Sequence, residues 1–157
     1  MQEHNIPGEI LHLDVPTPTV AEAAQAVGTQ PEQIVKSILF LVDGLPLLAI
    51  TCGQTYVDRR ALAAVYNVGR KKVKLATPEA VLEETGFEVG AMPPFGHRNP
   101  LPTWMDRRVL EQAEVFAGGG AENALVRLVP EDILHATRAS VIDLLNPPGD
   151  KADQEAS

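Results

Sequence analysis

Along the chain, hydrophobic and polar positions follow two rhythms, one of period two and one near 3.6, separated by turn residues. The stretch Glu9 to Val15 predicts a short strand, stopped by Pro16 and Pro18. Thr19-Val20-Ala21-Glu22 has the spacing of a capping box, in which the Thr oxygen takes an early helix N–H and Glu22 reaches back. Alanine-rich sequence then carries a helix to Gly28. Ile34 to Val42 is rich in β-branched and large apolar residues, Asp43-Gly44 is a turn signal, and Leu45 to Thr51 is apolar again. These runs predict a hairpin whose strands are half to fully buried. Asp58 to Tyr66 sets a capping residue ahead of Ala, Leu and Val at helical spacing, so a second helix is expected to end near Asn67 or Gly69. Lys72 to Ala76 alternates as a strand, and Thr77-Pro78-Glu79 opens a helix running to about Thr85. After a Gly/Pro-rich stretch from Gly86 to Pro102, strands are expected at Leu101 to Met105, Glu114 to Ala117 and Ala124 to Val129. Pro130-Glu131-Asp132 opens a short helix through His135.

Strands outnumber helices, and no internal repeat is visible. The expectation is a single α+β domain over residues 1–145 with a mixed, strongly bent sheet, then a flexible polar tail over 146–157. A chain of 157 residues with 45% apolar side chains is large enough to bury one core. Its one cysteine, Cys52, excludes an internal disulfide and any cysteine-rich metal site. No apolar run approaches the roughly 20 residues of a membrane span, and the first residues lack the basic and apolar segments of a signal peptide. A soluble, unexported, cytoplasmic protein with no membrane partner is expected.

The net charge of −8 argues against duplex binding over the whole surface, and no DNA partner is expected. Charge is nevertheless uneven. Arg59, Arg60, Arg70, Lys71, Lys72 and Lys74 fall in a stretch without Asp or Glu, which is either a solvated face or a set of contacts to RNA phosphates. Aromatic residues make up 4% of the chain, too few to stack many bases but compatible with contact at one nucleotide terminus.

Several catalytic devices are missing: no G-x-S-x-G elbow, no H-E-x-x-H helix, no phosphate loop ending in G-K-[ST] and no C-x-x-C pair. The four histidines, His4, His12, His97 and His135, show no metal-ligand spacing, so no metal or other cofactor is expected. Lys36 interrupts an apolar strand and by alternation shares a face with Ile34, Ile38 and Phe40. A lone ammonium there needs a carboxylate, a route to solvent or an anionic ligand, and both the edge-strand and the ligand readings stay open. The segment Gly86 to His97 combines glycines with the adjacent Pro93 and Pro94. Its backbone is able to approach a ligand and stiff enough to hold N–H donors in place, although a plain chain reversal has the same composition. Gly118-Gly119-Gly120 reads first as a hairpin turn, and Asp106 as the cap of a short helix.

Taken in order, Gln33 to Phe40 with Lys36, Asp58 in Tyr-Val-Asp-Arg-Arg, Gly86-Phe87 through Gly96-His97, Leu101-Pro102-Thr103-Trp104-Met105-Asp106 and the triple glycine resemble one family. It is that of YbaK and the prolyl-tRNA synthetase editing domains, the free-standing and inserted aminoacyl-tRNA deacylases. The resemblance spans roughly residues 19–145, and its specific parts are the Lys36 strand and the Gly-x-x-x-Pro loop from Gly90 to Pro94. It implies a compact domain with a barrel-like mixed sheet and a pocket for the 3′ end of a mischarged tRNA, most often proline tRNA. Some members carry an aromatic residue where this chain has Leu13-Asp14, and the cysteine-clearing members have an acidic residue that Ala124 to Arg127 lacks.

On this resemblance Lys36 anchors phosphate or ribose, and backbone N–H groups from Gly90 to Gly96, with Pro94, surround the ester. His97 is a candidate acid or base or a loop anchor. Thr51, Cys52, Met92 and Phe95 are candidate pocket walls, joined by Asp58, Pro93, Asp106, Gly118 and Gly119 as substrate-binding candidates. Arg59, Arg60, Arg70, Lys71 and Lys72 are candidate tRNA phosphate contacts. The expected partner is the acceptor end of a mischarged tRNA, with a synthetase as a transient second. Two other classes stay open: a non-catalytic module binding the tRNA end, and a small-molecule esterase.

Overall fold

A strand with apolar residues on both faces needs cover on both, and the central hairpin has it. In the computed structural model the described residues are 8–13, 19–54, 56–89, 92–94, 97, 101–121 and 123–145. Strands β2 (Val35–Val42) and β3 (Leu45–Cys52) pair antiparallel over their whole length, from Val35 opposite Cys52 to Val42 opposite Leu45. Asp43 and Gly44 join them with φ of 50° and 84°, the positive pair that a type I′ turn requires. Alternate residues feed two cores. Phe40, Leu47 and Ala49 pack with Val57, Leu62, Val73 and Leu144. Leu39, Leu48, Ile50 and Cys52 pack with Met105, Val109, Val115 and Ile133.

Around this hairpin lie β4 (Val73–Leu75), antiparallel to β2, and β5 (Thr103–Asp106), parallel to β3. Strand β8 (Ser140–Ile142) lies parallel to β5 and completes the order β4-β2-β3-β5-β8. A second, antiparallel sheet has the order β1-β7-β6, built from β1 (Glu9–His12), β6 (Val115–Gly118) and β7 (Ala124–Leu128). The two sheets meet through the isolated bridge between Ile34 and Phe116. The expected barrel-like sheet is therefore corrected to two open sheets. Closure needs a continuous ladder around the circumference, whereas the larger sheet ends in the three-residue strands β4 and β8.

The helices follow their caps. Helix α1 (Val20–Val27) starts at Thr19, whose hydroxyl oxygen accepts the Glu22 N–H at 3.1 Å, and it packs Val20, Ala23 and Ala24 against Ile34 and Phe116. Helix α2 (Arg59–Tyr66) is capped by Asp58 and ends at Asn67 with φ 54°. Helix α3 (Pro78–Thr85) starts at Thr77, and α4 (Pro130–Thr137) at its proline. Among the described residues no helix is long and apolar enough to cross a membrane.

Differences from the pattern are local. β1 stops at His12, and residues 14 and 15 lie outside the described ones, as does the expected tail at 146–157. Lys72 belongs to a 3-10 turn over Arg70–Lys72, so β4 starts one residue later than expected. β8 was not expected, because three residues carry too little periodicity; pairing with β5 creates it.

One carboxylate stitches these parts together. Asp106 is 1% exposed; its Oδ2 accepts the Arg108 N–H at 2.9 Å and its Oδ1 accepts the Leu144 N–H at 2.7 Å. The Leu144 carbonyl in turn accepts the N–H of Asp58, the cap of α2. Asp106→Ala strands two amide donors that a charged acceptor now satisfies, so a loss of about 3 kcal/mol is expected, read as a lower urea midpoint at unchanged slope. A midpoint within error of the parent would show that the stitch contributes nothing.

Candidate active site

The site begins with a register. Because β2 and β3 run antiparallel, Lys36 faces Thr51 across the hairpin, and because β5 runs parallel to β3 with Met105 beside Ile50, Asp106 comes to the same end of the sheet. Lys36 is half-buried on the face of Ile38 and Phe40, as the alternation predicts. No ion pair or hydrogen bond engages its ammonium among the described residues. Burial lowers its pKa from the ordinary lysine value, with Cys52 acting weakly the other way. Opposite it, Thr51 is fully buried and its Oγ1 has no hydrogen-bond partner among the described residues; the Ser37 hydroxyl is in the same condition. Buried hydroxyls are almost always satisfied; Thr51 is on the face of Lys36, whereas Ser37, opposite Ile50, is on the other face of the hairpin.

Cys52 lies next to Thr51 on the other face, in the core that holds Met92. Its thiol is pushed up to about 12, first by burial and then by the negative charge of Asp106. A thiol that stays protonated is a poor nucleophile. Cys52 and Met92 are thus brought together in the core, on the opposite face of β3 from Thr51. Asp106 has both carboxylate oxygens committed to backbone amides. Asp58 is similarly engaged: Oδ1 accepts the Arg60 N–H at 3.0 Å and pairs with the Arg60 Nε at 2.9 Å. Arg59 sets its guanidinium 5.9 Å from the centre of the Phe40 ring.

The Gly/Pro loop is pinned from within. His97 donates from Nε2 to the Pro93 carbonyl oxygen at 2.7 Å and meets Phe87 edge-on with ring centres 6.2 Å apart. Pro94 is buried, while Gly90, Phe95 and Gly96 lie outside the described residues. The triple-glycine turn leans on the base of the same loop: a Cβ on Gly120 would sit 3.4 Å from the Phe87 ring. Gly118 pairs with Leu125, and a Cβ on Gly119 would lie 2.9 Å from the backbone of Ala124, so the turn itself demands glycine there. Ser37 and Phe87 were not singled out from the sequence. A serine within an apolar strand was the available signal for the first; for the second there was none.

The basic stretch does not form one face. The start of α2, with Arg59 and Arg60, is tied to the Asp106 end of the sheet through Leu144. Arg70–Lys72 sits at the opposite end, where the Asp43 N–H donates to the Lys72 carbonyl beside the hairpin turn. The helix between them separates the two groups.

Against known families, the aminoacyl-tRNA editing domain matches residues 14–136. The chain belongs to that family. A solved structure of a candidate trans-editing enzyme for prolyl tRNA synthetase is 38% identical with a TM-score of 0.82, covering 89% of this chain and 87% of that one. The proline–tRNA ligase of Nitratidesulfovibrio vulgaris (strain DP4) is 35% identical over 119 residues, which are 74% of this chain and 20% of the ligase. An uncharacterized protein of Bacillus subtilis (strain 168), YwhH, is 25% identical over 130 residues, 82% of this chain and 81% of that protein. This editing domain thus spans about a fifth of the ligase and most of the free-standing relative.

A lysine whose folded pKa lies below its unfolded one costs stability while it is charged, and the cost fades as pH rises through the folded value toward the unfolded value near 10.5. Lys36→Met is therefore expected to melt higher than the parent at pH 7, with the difference shrinking toward pH 10. Equal melting temperatures at pH 7 would show that water solvates the ammonium fully.

Proposed function

We propose that this editing domain is a trans-acting deacylase that hydrolyses the ester of mischarged tRNA, with proline tRNA carrying a small non-cognate amino acid as substrate and the cytoplasm as its place of action. The observation that carries this reading is the half-buried ammonium of Lys36 facing the hydroxyl of buried Thr51, neither with a polar partner among the described residues. Such an arrangement costs stability in the free protein and is explained by an anionic, hydrogen-bonding ligand.

Lys36 holds a phosphate or ribose oxygen of the terminal nucleotide. Water adds to the ester carbonyl, and the neighbouring ribose hydroxyl of the substrate orients it. N–H groups of the 90–96 loop receive the developing oxyanion, in a loop that His97 keeps in shape through Pro93. Collapse breaks the bond to the ribose oxygen, which takes up a proton, leaving free amino acid and intact tRNA. Small side chains are admitted and larger ones refused, so that size does the rejecting.

The test is a deacylation panel of proline tRNA carrying alanine, cysteine, serine, threonine or proline. At least one small amino acid is expected to be released well above the spontaneous rate while prolyl-tRNA is spared. Lys36→Ala, folded by circular dichroism, is expected to lose at least about 100-fold in kcat/KM, near 3 kcal/mol of transition-state stabilisation. Binding without turnover across the panel would leave a tRNA-end binding module. Equal cleavage of simple amino acid esters and aminoacyl-tRNA would make it a small-molecule esterase.

A further inference from the structure

Beside the β2–β3 turn, Leu41, Asp43, Gly44, Lys71, Lys72 and Lys74 line a concavity of about 420 Å³. All three lysines are exposed. The carboxylate within it, Asp43, is 3.8 Å from the Lys72 ammonium, with both side chains more than 60% exposed. An exposed pair of that length holds a lysine only weakly, so the concavity keeps a positive field. The whole chain carries −8, and its remaining surface therefore repels a polyanion that this end attracts.

The distance to Lys36 gives the patch a meaning. Leu41, which pairs with Lys74, is five residues further along β2 than Lys36, about 17 Å at about 3.3 Å per residue, and the odd separation sets the two side chains on opposite faces of the strand, so the patch suits contact with the stem and not with the terminal nucleotide. We infer that the Lys71, Lys72 and Lys74 concavity docks the phosphate backbone of the base-paired acceptor stem. The inference rests on the deacylase reading for what happens at Lys36. Stem docking itself does not require ester cleavage.

The experiment measures binding to a blunt RNA hairpin with the sequence of the acceptor stem and to uncharged proline tRNA, across a salt series. The variants are Lys71→Gln/Lys72→Gln/Lys74→Gln together and, separately, Lys36→Ala; thermal melts confirm that both fold. The triple variant is expected to bind both RNAs at least about tenfold more weakly and to lower the slope of log affinity against log salt by about 2 to 3. Lys36→Ala should bind the blunt hairpin as the parent does. Unchanged affinity and slope in the triple variant would overturn the inference, and so would a loss of hairpin binding in Lys36→Ala equal to that of the triple. A parent protein that binds the hairpin through these lysines but deacylates nothing would keep the docking surface and remove the deacylase reading.

Discussion

A buried carboxylate must have its oxygens satisfied, and the way Asp106 satisfies them arranges the rest of the site. One oxygen starts the turn after β5, and the other holds the segment after β8, whose Leu144 carbonyl in turn receives the cap residue of α2. Three stretches far apart in sequence are thereby fastened at one end of the larger sheet. It is the end where Lys36 and Thr51 face each other, so the polar centre rests on backbone fixed from several directions.

Within that frame the molecule tolerates groups a pure core would exclude. Among the described residues Lys36 sits on an apolar face without a carboxylate partner, and Thr51 keeps a buried hydroxyl without a hydrogen-bond partner. Both are local violations of the patterning that the rest of β2 and β3 obeys, and such violations concentrate where function requires them. Cys52, one residue from Thr51 but on the opposite face, shows the contrast: burial keeps it a neutral thiol among Ile50, Met92 and Met105.

The Gly/Pro loop is held by a short relay from the Pro93 carbonyl to His97, from His97 to Phe87, and from Phe87 to the Gly120 turn of the smaller sheet. Each link is modest. Together they fix Phe87, Pro93 and His97 relative to one another and to the smaller sheet. Gly119 contributes differently, since only a residue without Cβ lets β6 and β7 close next to Ala124.

Much of this was legible in the order of residues. The capping residues Thr19, Asp58 and Thr77, the Asp43-Gly44 turn and the two apolar runs of the hairpin identified α1, α2, α3, β2 and β3, because caps, turns and strand faces are short-range effects. Lys36 stood out for the same reason, as a charge in a strand otherwise apolar. Only the tertiary structure decided the parallel placement of β5 and β8, the opening of the sheet where a barrel was expected, and the division of the basic stretch between two ends of the domain. It also decided that Asp58 and Asp106 are satisfied within the protein while Thr51 has no hydrogen-bond partner among the described residues. These depend on which strands meet and in what register, and contacts between residues distant in sequence leave no periodic trace along the chain.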